Sequence, residues 1–171
     1  METNQDRTTA APGLGRYEID PAGSTVTFTT RHVFGLLPVH GSFAIRSGTV
    51  DIVEPLTASS VRAEVDPASF RTGSRQRDTA VRSARFLDTA RHPVMTYTAD
   101  RLDGTALTGT LTVCGVTQPV TLAIENSASS AGAFTARATT RIDRTRFGVT
   151  ASRGMAGRYL DVRVEVRCVR P

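Results

Sequence analysis

The sequence predicts an all-β chain of about eight or nine short antiparallel strands, broken once by a short helix. Such a chain forms either a two-sheet sandwich or a closed barrel. Three observations carry this reading. Apolar and β-branched residues alternate with polar ones at period two in many short runs. Turn signals separate these runs at hairpin spacing. One segment, residues 73–88, switches to a helical period.

The runs follow in order. Ser24-Thr-Val-Thr-Phe-Thr-Thr-Arg-His32 places Val26, Phe28, Thr30 and His32 on one face. Two shorter candidates follow at Ser42–Arg46 and Thr49–Val53, separated by Ser47-Gly48. Val61, Ala63 and Val65 alternate with Arg62 and Glu64. The helical segment comes next, with Ser74 as N-cap and Ala80, Val81, Ala84 and Leu87 on the face expected to cover the sheet. His92-Pro93 then enforces extended backbone. Met95 and Tyr97 alternate with Thr96 and Thr98. Four further runs are marked by Leu107 to Val113, by Val120, Leu122 and Ile124, by Phe134, Ala136 and Ala138, and by Leu160 to Val166. Alternation of large and very small residues favours a barrel, whose interior at eight strands has room for one small ligand.

Composition narrows the function classes. At 171 residues, 39% hydrophobic and 22% charged, the chain has enough apolar material for one core without metal or disulfide support. Residues 1–15 are expected as a disordered polar tail and residues 16–171 as a single domain. No apolar stretch approaches a membrane span. The net charge of +5 comes from arginine alone, since the chain has no lysine. Scattered arginines without interleaved aromatics read as a bias in composition, so no nucleic-acid partner is expected. Cys114 and Cys168 form no CxxC motif, and His32, His40 and His92 have no metal-ligand spacing; no metal and no cofactor is expected. Met1–Gly15 lacks the apolar core of a secretory signal, so a cytoplasmic location with two free thiols is the expectation.

A further set of residues, taken together in chain order, resembles the YceI-like domain family. It opens with Tyr17-Glu-Ile-Asp20, Val26-Thr-Phe28, His32 and Gly41-Ser-Phe43, then Ser69-Phe-Arg-Thr72. Its most specific part is Arg77-Asp78, Arg82-Ser83, Phe86-Leu-Asp88 and His92-Pro-Val-Met-Thr-Tyr97. It continues through Leu111-Thr-Val113 and Gly115-Val-Thr-Gln-Pro-Val120 to Asp143-Arg144, Phe147-Gly148 and Asp161-Val162. The chain departs from the family pattern at Ala80 and Val81, where His and Leu are usual, and at Arg146. The resemblance implies a lipocalin-like extended antiparallel β-barrel that holds a long apolar chain, such as an isoprenoid quinone or a polyprenyl phosphate. Carriage, storage or sequestration during stress are the roles it suggests. The chain would not span a membrane, and a homodimer stays open.

The expected ligand-binding residues follow from strand parity and from the family positions. Phe28, Phe43, Phe86, Met95, Tyr97 and Phe147 are the large apolar groups expected to line the lumen. Met95 has the most adaptable shape. His32, Arg77, Asp78 and Arg144 are the polar groups expected at its mouth. Each has a structural alternative: His32 satisfied by neighbours, Arg77 and Asp78 fastening the helix, Arg144 bracing the last hairpin. No GxSxG, catalytic triad, carboxylate pair or P-loop is present, so no catalytic residue is expected. The competing reading is an enzyme acting on an amphiphile inside the barrel.

Overall fold

The structure, a computed structural model, describes residues 12–32, 36–152 and 154–171. Most of the expected polar tail lies outside the described residues. Nine strands form one antiparallel sheet: β1 Gly15–Ile19, β2 Thr25–His32, β3 Leu37–Ile52, β4 Ser60–Arg71, β5 Met95–Asp103, β6 Ala106–Val113, β7 Val116–Ser130, β8 Ala133–Asp143 and β9 Tyr159–Val169. The order runs β1-β3-β2-β9-β8-β7-β6-β5-β4, and pairing of β3 with β4 closes the sheet into a barrel. The sandwich alternative is thereby excluded.

The barrel has eight staves, because β1 and β2 occupy one position. Both pair with β3 and with β9, β1 beside Thr49–Ile52 and β2 beside Leu37–Phe43. Between them Pro21–Gly23 forms a 3₁₀ turn, capped by the Asp20 carboxylate, which accepts from the Ala22 amide at 3.1 Å. Proline has no amide to give to a ladder, so the stave breaks there.

Two expected short strands are a single one. Ser42–Arg46 and Thr49–Val53 fall almost wholly within the sixteen-residue β3, and Ser47-Gly48 is not a turn. Gly48 is there for room: a Cβ would overlap the Ile19 side chain and lie 2.9 Å from the Arg62 carbonyl. Register shifts at Ser42/Ala44 and Ile45/Ser47 bend the strand, as barrel closure requires. Gly109 marks a second close approach. A Cβ on it would collide with the Thr98 carbonyl and lie 2.8 Å from the Ala99 Cβ, both parts of the neighbouring strand. Gly109→Ala is expected to cost about 2 kcal/mol, because backbone atoms cannot swing aside. A urea-denaturation midpoint equal to that of the native chain would show the strands have slack.

The helix α1, Arg75–Arg82, lies inside the expected segment, and Ser74 caps it by accepting from the Arg77 amide. Its packing follows the expectation in part: Ala80, Val81 and Leu87 of the expected face line the barrel interior, and Ala84 does not. Ala84 lies beyond the helix end and is exposed, Ala80 is exposed too, and the buried residue is Asp78. Polar clasps hold the helix as well. The Asp78 carboxylate accepts from the Thr72 amide at 3.0 Å and the Thr72 hydroxyl at 2.6 Å, and the Arg82 guanidinium donates to the Phe70 carbonyl at 2.6 Å.

Cys114 and Cys168 are free thiols, as expected. They cannot pair: Cys114 sits in the β6–β7 turn, while Cys168 lies at the end of β9 that pairs with Ile19 of β1, at the other end of the barrel. Burial pushes the Cys168 thiol up to about 12. Among the described residues no helix is long and apolar enough to cross a membrane.

Candidate ligand-binding cavity

The inward positions of the staves enclose a cavity of about 760 Å³. That is within the roughly 300–1,000 Å³ typical of small-molecule sites. Its wall follows from the alternation. Val120, Leu122 and Ile124 of β7, Phe134, Ala136 and Ala138 of β8, and Val162, Val164 and Val166 of β9 all point inward, while the residues between them face out. Aliphatic and small side chains leave a lumen that is not filled by the protein itself.

Buried residues cluster toward both ends. Tyr17, Ile19, Ile45, Val50, Ile52, Phe134 and Cys168 form one buried cluster, and the Tyr17 and Phe134 rings meet edge to face at 4.8 Å. Met95, Val113, Phe147 and Val149 form a second cluster toward the opposite end, with Phe43 and Phe86 against it.

Polar groups on the wall sort by position. His32, Arg77, Arg85, Arg144 and Ser152 lie at the end formed by α1 and the β8–β9 connection, which we call the mouth. Ser59, Ser60, Thr105 and Ser127 lie at the other end. Two hydroxyls between them are satisfied by backbone. The Tyr97 hydroxyl donates to the Val120 carbonyl at 2.9 Å, with the Leu107 carbonyl at 3.3 Å, and the Thr30 hydroxyl donates to the Tyr159 carbonyl at 2.8 Å. Burial pushes the Tyr97 phenol up to about 12, which leaves it a poor proton donor near neutral pH. Among the described residues no carboxylate lines the cavity.

Nine of the ten expected residues line it: Phe28, His32, Phe43, Arg77, Phe86, Met95, Tyr97, Arg144 and Phe147. Asp78 does not, because its carboxylate is turned to Thr72. Arg77 reaches the same threonine, donating to its hydroxyl at 3.2 Å. Arg144 is a brace as well as a lining residue. Its guanidinium donates to the carbonyls of Gly157 (2.7 Å), Val149 (2.8 Å), Ala151 (2.9 Å) and Ala156 (3.3 Å), and it lies 5.7 Å from the Phe86 ring centroid. His32 is held below its ordinary value by burial, then by the positive charges of Arg77 and Arg144.

Phe70 is the main residue that periodicity misses. Its ring stacks on Phe28 at 5.4 Å and meets Phe43 at 5.4 Å, making a three-ring wall. Val61, Ala63 and Val65 point inward at odd positions, yet Phe70 is even. Between them β4 carries Asp66-Pro67, and its register to β3 shifts from Ala44↔Asp66 to Ser42↔Arg71. The proline within the run is the signal for that change of face.

Comparison with known proteins gives a consistent picture. The model of the YceI-like domain matches residues 17–169. Protein YceI of Escherichia coli O157:H7 is 38% identical over 113 residues, covering 62% of this chain and 59% of that protein. Protein YceI of Salmonella arizonae is 35% identical over 125 residues, covering 67% and 63%. The match thus spans about three fifths of the length of these relatives. Among solved structures, Burkholderia cenocepacia BcnA superposes with a TM-score of 0.75 at 22% identity, over 87% of this chain and 98% of that one. A polyisoprenoid binding domain from Saccharophagus degradans gives 0.72 at 18% identity, over 91% and 98%. Both share the fold.

Proposed function

We propose that this chain, which belongs to the YceI-like domain family, is a non-catalytic lipid-binding protein that holds one long apolar chain in its barrel. The observation that carries this is the 760 Å³ cavity, apolar along its length and polar at its ends. An empty apolar lumen forgoes dispersion contacts on one side of every lining group, and a hydrocarbon chain restores them. Each buried CH₂ contributes about 0.8 kcal/mol, so a few isoprene units offset the cost of ordering the ligand. A structural neighbour described as a polyisoprenoid binding domain supports an isoprenoid tail.

Phe28, Phe43, Phe86, Met95, Tyr97 and Phe147 form the apolar contacts, with Phe70 added to them. His32 and Arg77 meet the head group at the mouth, and Arg144 positions the loop around it. Asp78 acts at a distance, by holding Thr72 and the helix. Two features speak against chemistry on the ligand. A histidine base needs an orienting acceptor, and the charged groups that act on His32 are two arginines. The one phenol on the wall is locked to backbone carbonyls.

Displacement of a fluorescent fatty acid by unlabelled polyprenyl lipids tests the proposal. Saturable binding at one site per chain is expected. His32→Ala is expected to weaken polar-headed lipids several-fold and plain hydrocarbons hardly at all, since only the former use the imidazole. Absence of saturable binding in the native chain would refute the carrier role.

A further inference from the structure

We infer that the mouth of the barrel is a docking surface for an anionic lipid bilayer. This goes beyond the carrier role and does not depend on what the lumen holds. Charge on the molecule is polarised along the barrel axis. The described residues of the two long connections at the mouth, 72–94 and 144–158, hold eight arginines and two aspartates. Their net charge is +6, whereas the whole chain carries +5, so everything else sums to −1. The connections at the opposite end, 53–59, 104–105 and 131–132, contain Glu54 and no arginine.

Pairing sharpens the contrast. Among the described residues, seven of eight ion pairs neutralise arginines on the strands: Arg16, Arg46, Arg62, Arg101, Arg137, Arg141 and Arg167. At the mouth Arg158 pairs with Asp143 at 3.0 Å. Arg75, Arg91 and Arg146 are exposed and pair with no carboxylate among the described residues. Unneutralised arginines concentrated at one end are the electrostatic match for a surface of lipid phosphates.

Apolar side chains stand at the same end. Leu36 and Leu37, beside the mouth histidine in the β2–β3 hairpin, are 74% and 55% exposed, and Met155 in the β8–β9 connection is 52% exposed. Leucine and methionine tips among arginines suit the bilayer interface, where the apolar ends enter the acyl boundary and guanidinium groups stay with the phosphates. Soluble polyanions such as nucleic acid would use the arginines and leave these tips unused. Docked this way, the barrel opens toward the membrane, and an apolar ligand passes between bilayer and lumen with little exposure to water.

Vesicle co-sedimentation of the full chain tests this, with phosphatidylcholine alone against phosphatidylcholine containing phosphatidylglycerol. Association is expected with the anionic vesicles only, and it should fall with added salt. Arg75→Gln with Arg91→Gln should weaken it about tenfold or more. Leu36→Ser with Leu37→Ser should weaken it several-fold. All four positions are exposed and none lines the cavity, so thermal melting and fluorescent fatty-acid binding should stay as in the native chain. No association with anionic vesicles, or equal association with neutral ones, would overturn the proposal. So would loss in the arginine variant alone with the apolar variant intact, which would mark a polyanion-binding surface instead.

Discussion

Ala138→Phe is expected to abolish binding of a long-chain lipid while leaving the barrel folded. Ala138 is buried on β8, paired with Ile124 and Val164 on the neighbouring strands, and it lines the cavity. A phenyl ring there takes the volume through which a chain must run. The cost to the protein is small, because the lumen is not packed by its own side chains; filling apolar space commonly contributes about 0.5–2 kcal/mol of stability. Binding should fall by at least tenfold in the displacement assay, and the melting temperature should hold or rise. Thr135→Phe is the control. Thr135 lies on the same strand, three positions away and exposed, so a ring there should leave binding unchanged. Native-like binding by Ala138→Phe would place the ligand outside the lumen.

Arg144→Met is expected to be the most damaging single change to the mouth. The native guanidinium ties four carbonyls of residues 149–157 to the 3₁₀ turn Arg144–Phe147. Methionine keeps part of the packing and removes every donor. Hydrogen bonds to a charged group contribute roughly 1.5–3 kcal/mol, and carbonyls near the surface regain water on loss. A net loss of about 3 kcal/mol follows, which lowers the melting temperature by roughly 6–12 °C in a chain of this size. Arg144→Lys should rescue little, since an ammonium cannot reach four acceptors in one plane. A melting temperature within a degree of the native one would show that the loop holds itself.

Most of the wall of this site is legible in the sequence because a barrel obeys a simple parity. Met95 and Tyr97, or Phe134 and Ala138, sit on one side of a strand by spacing alone, and closure makes that side the lumen. Parity fails wherever the ladder slips. Phe70 comes after Pro67 and a register shift, so it points inward from the wrong count. Gly48 looks like a turn and is a close approach inside a strand. Helical spacing misleads for a different reason. Ala84 fits the stripe but lies beyond the end of α1 at Arg82 and is exposed, and the helix is fastened by Asp78 and Arg82 through hydrogen bonds, which leave no trace in an apolar pattern. The roles of Asp78 and Arg144 are likewise set by partners distant in sequence or on the backbone, since a charged side chain at a family position serves a ligand or a backbone carbonyl equally well.

The lumen as a lipid site is tested most directly by what the protein carries. Organic extraction of the purified full chain, followed by mass spectrometry against a parallel preparation of Ala138→Phe, reads this without choosing a ligand beforehand. The account predicts a long-chain isoprenoid or related lipid at close to one per chain in the native protein, and its loss in the variant. Equal amounts of the same lipid from both preparations would contradict it.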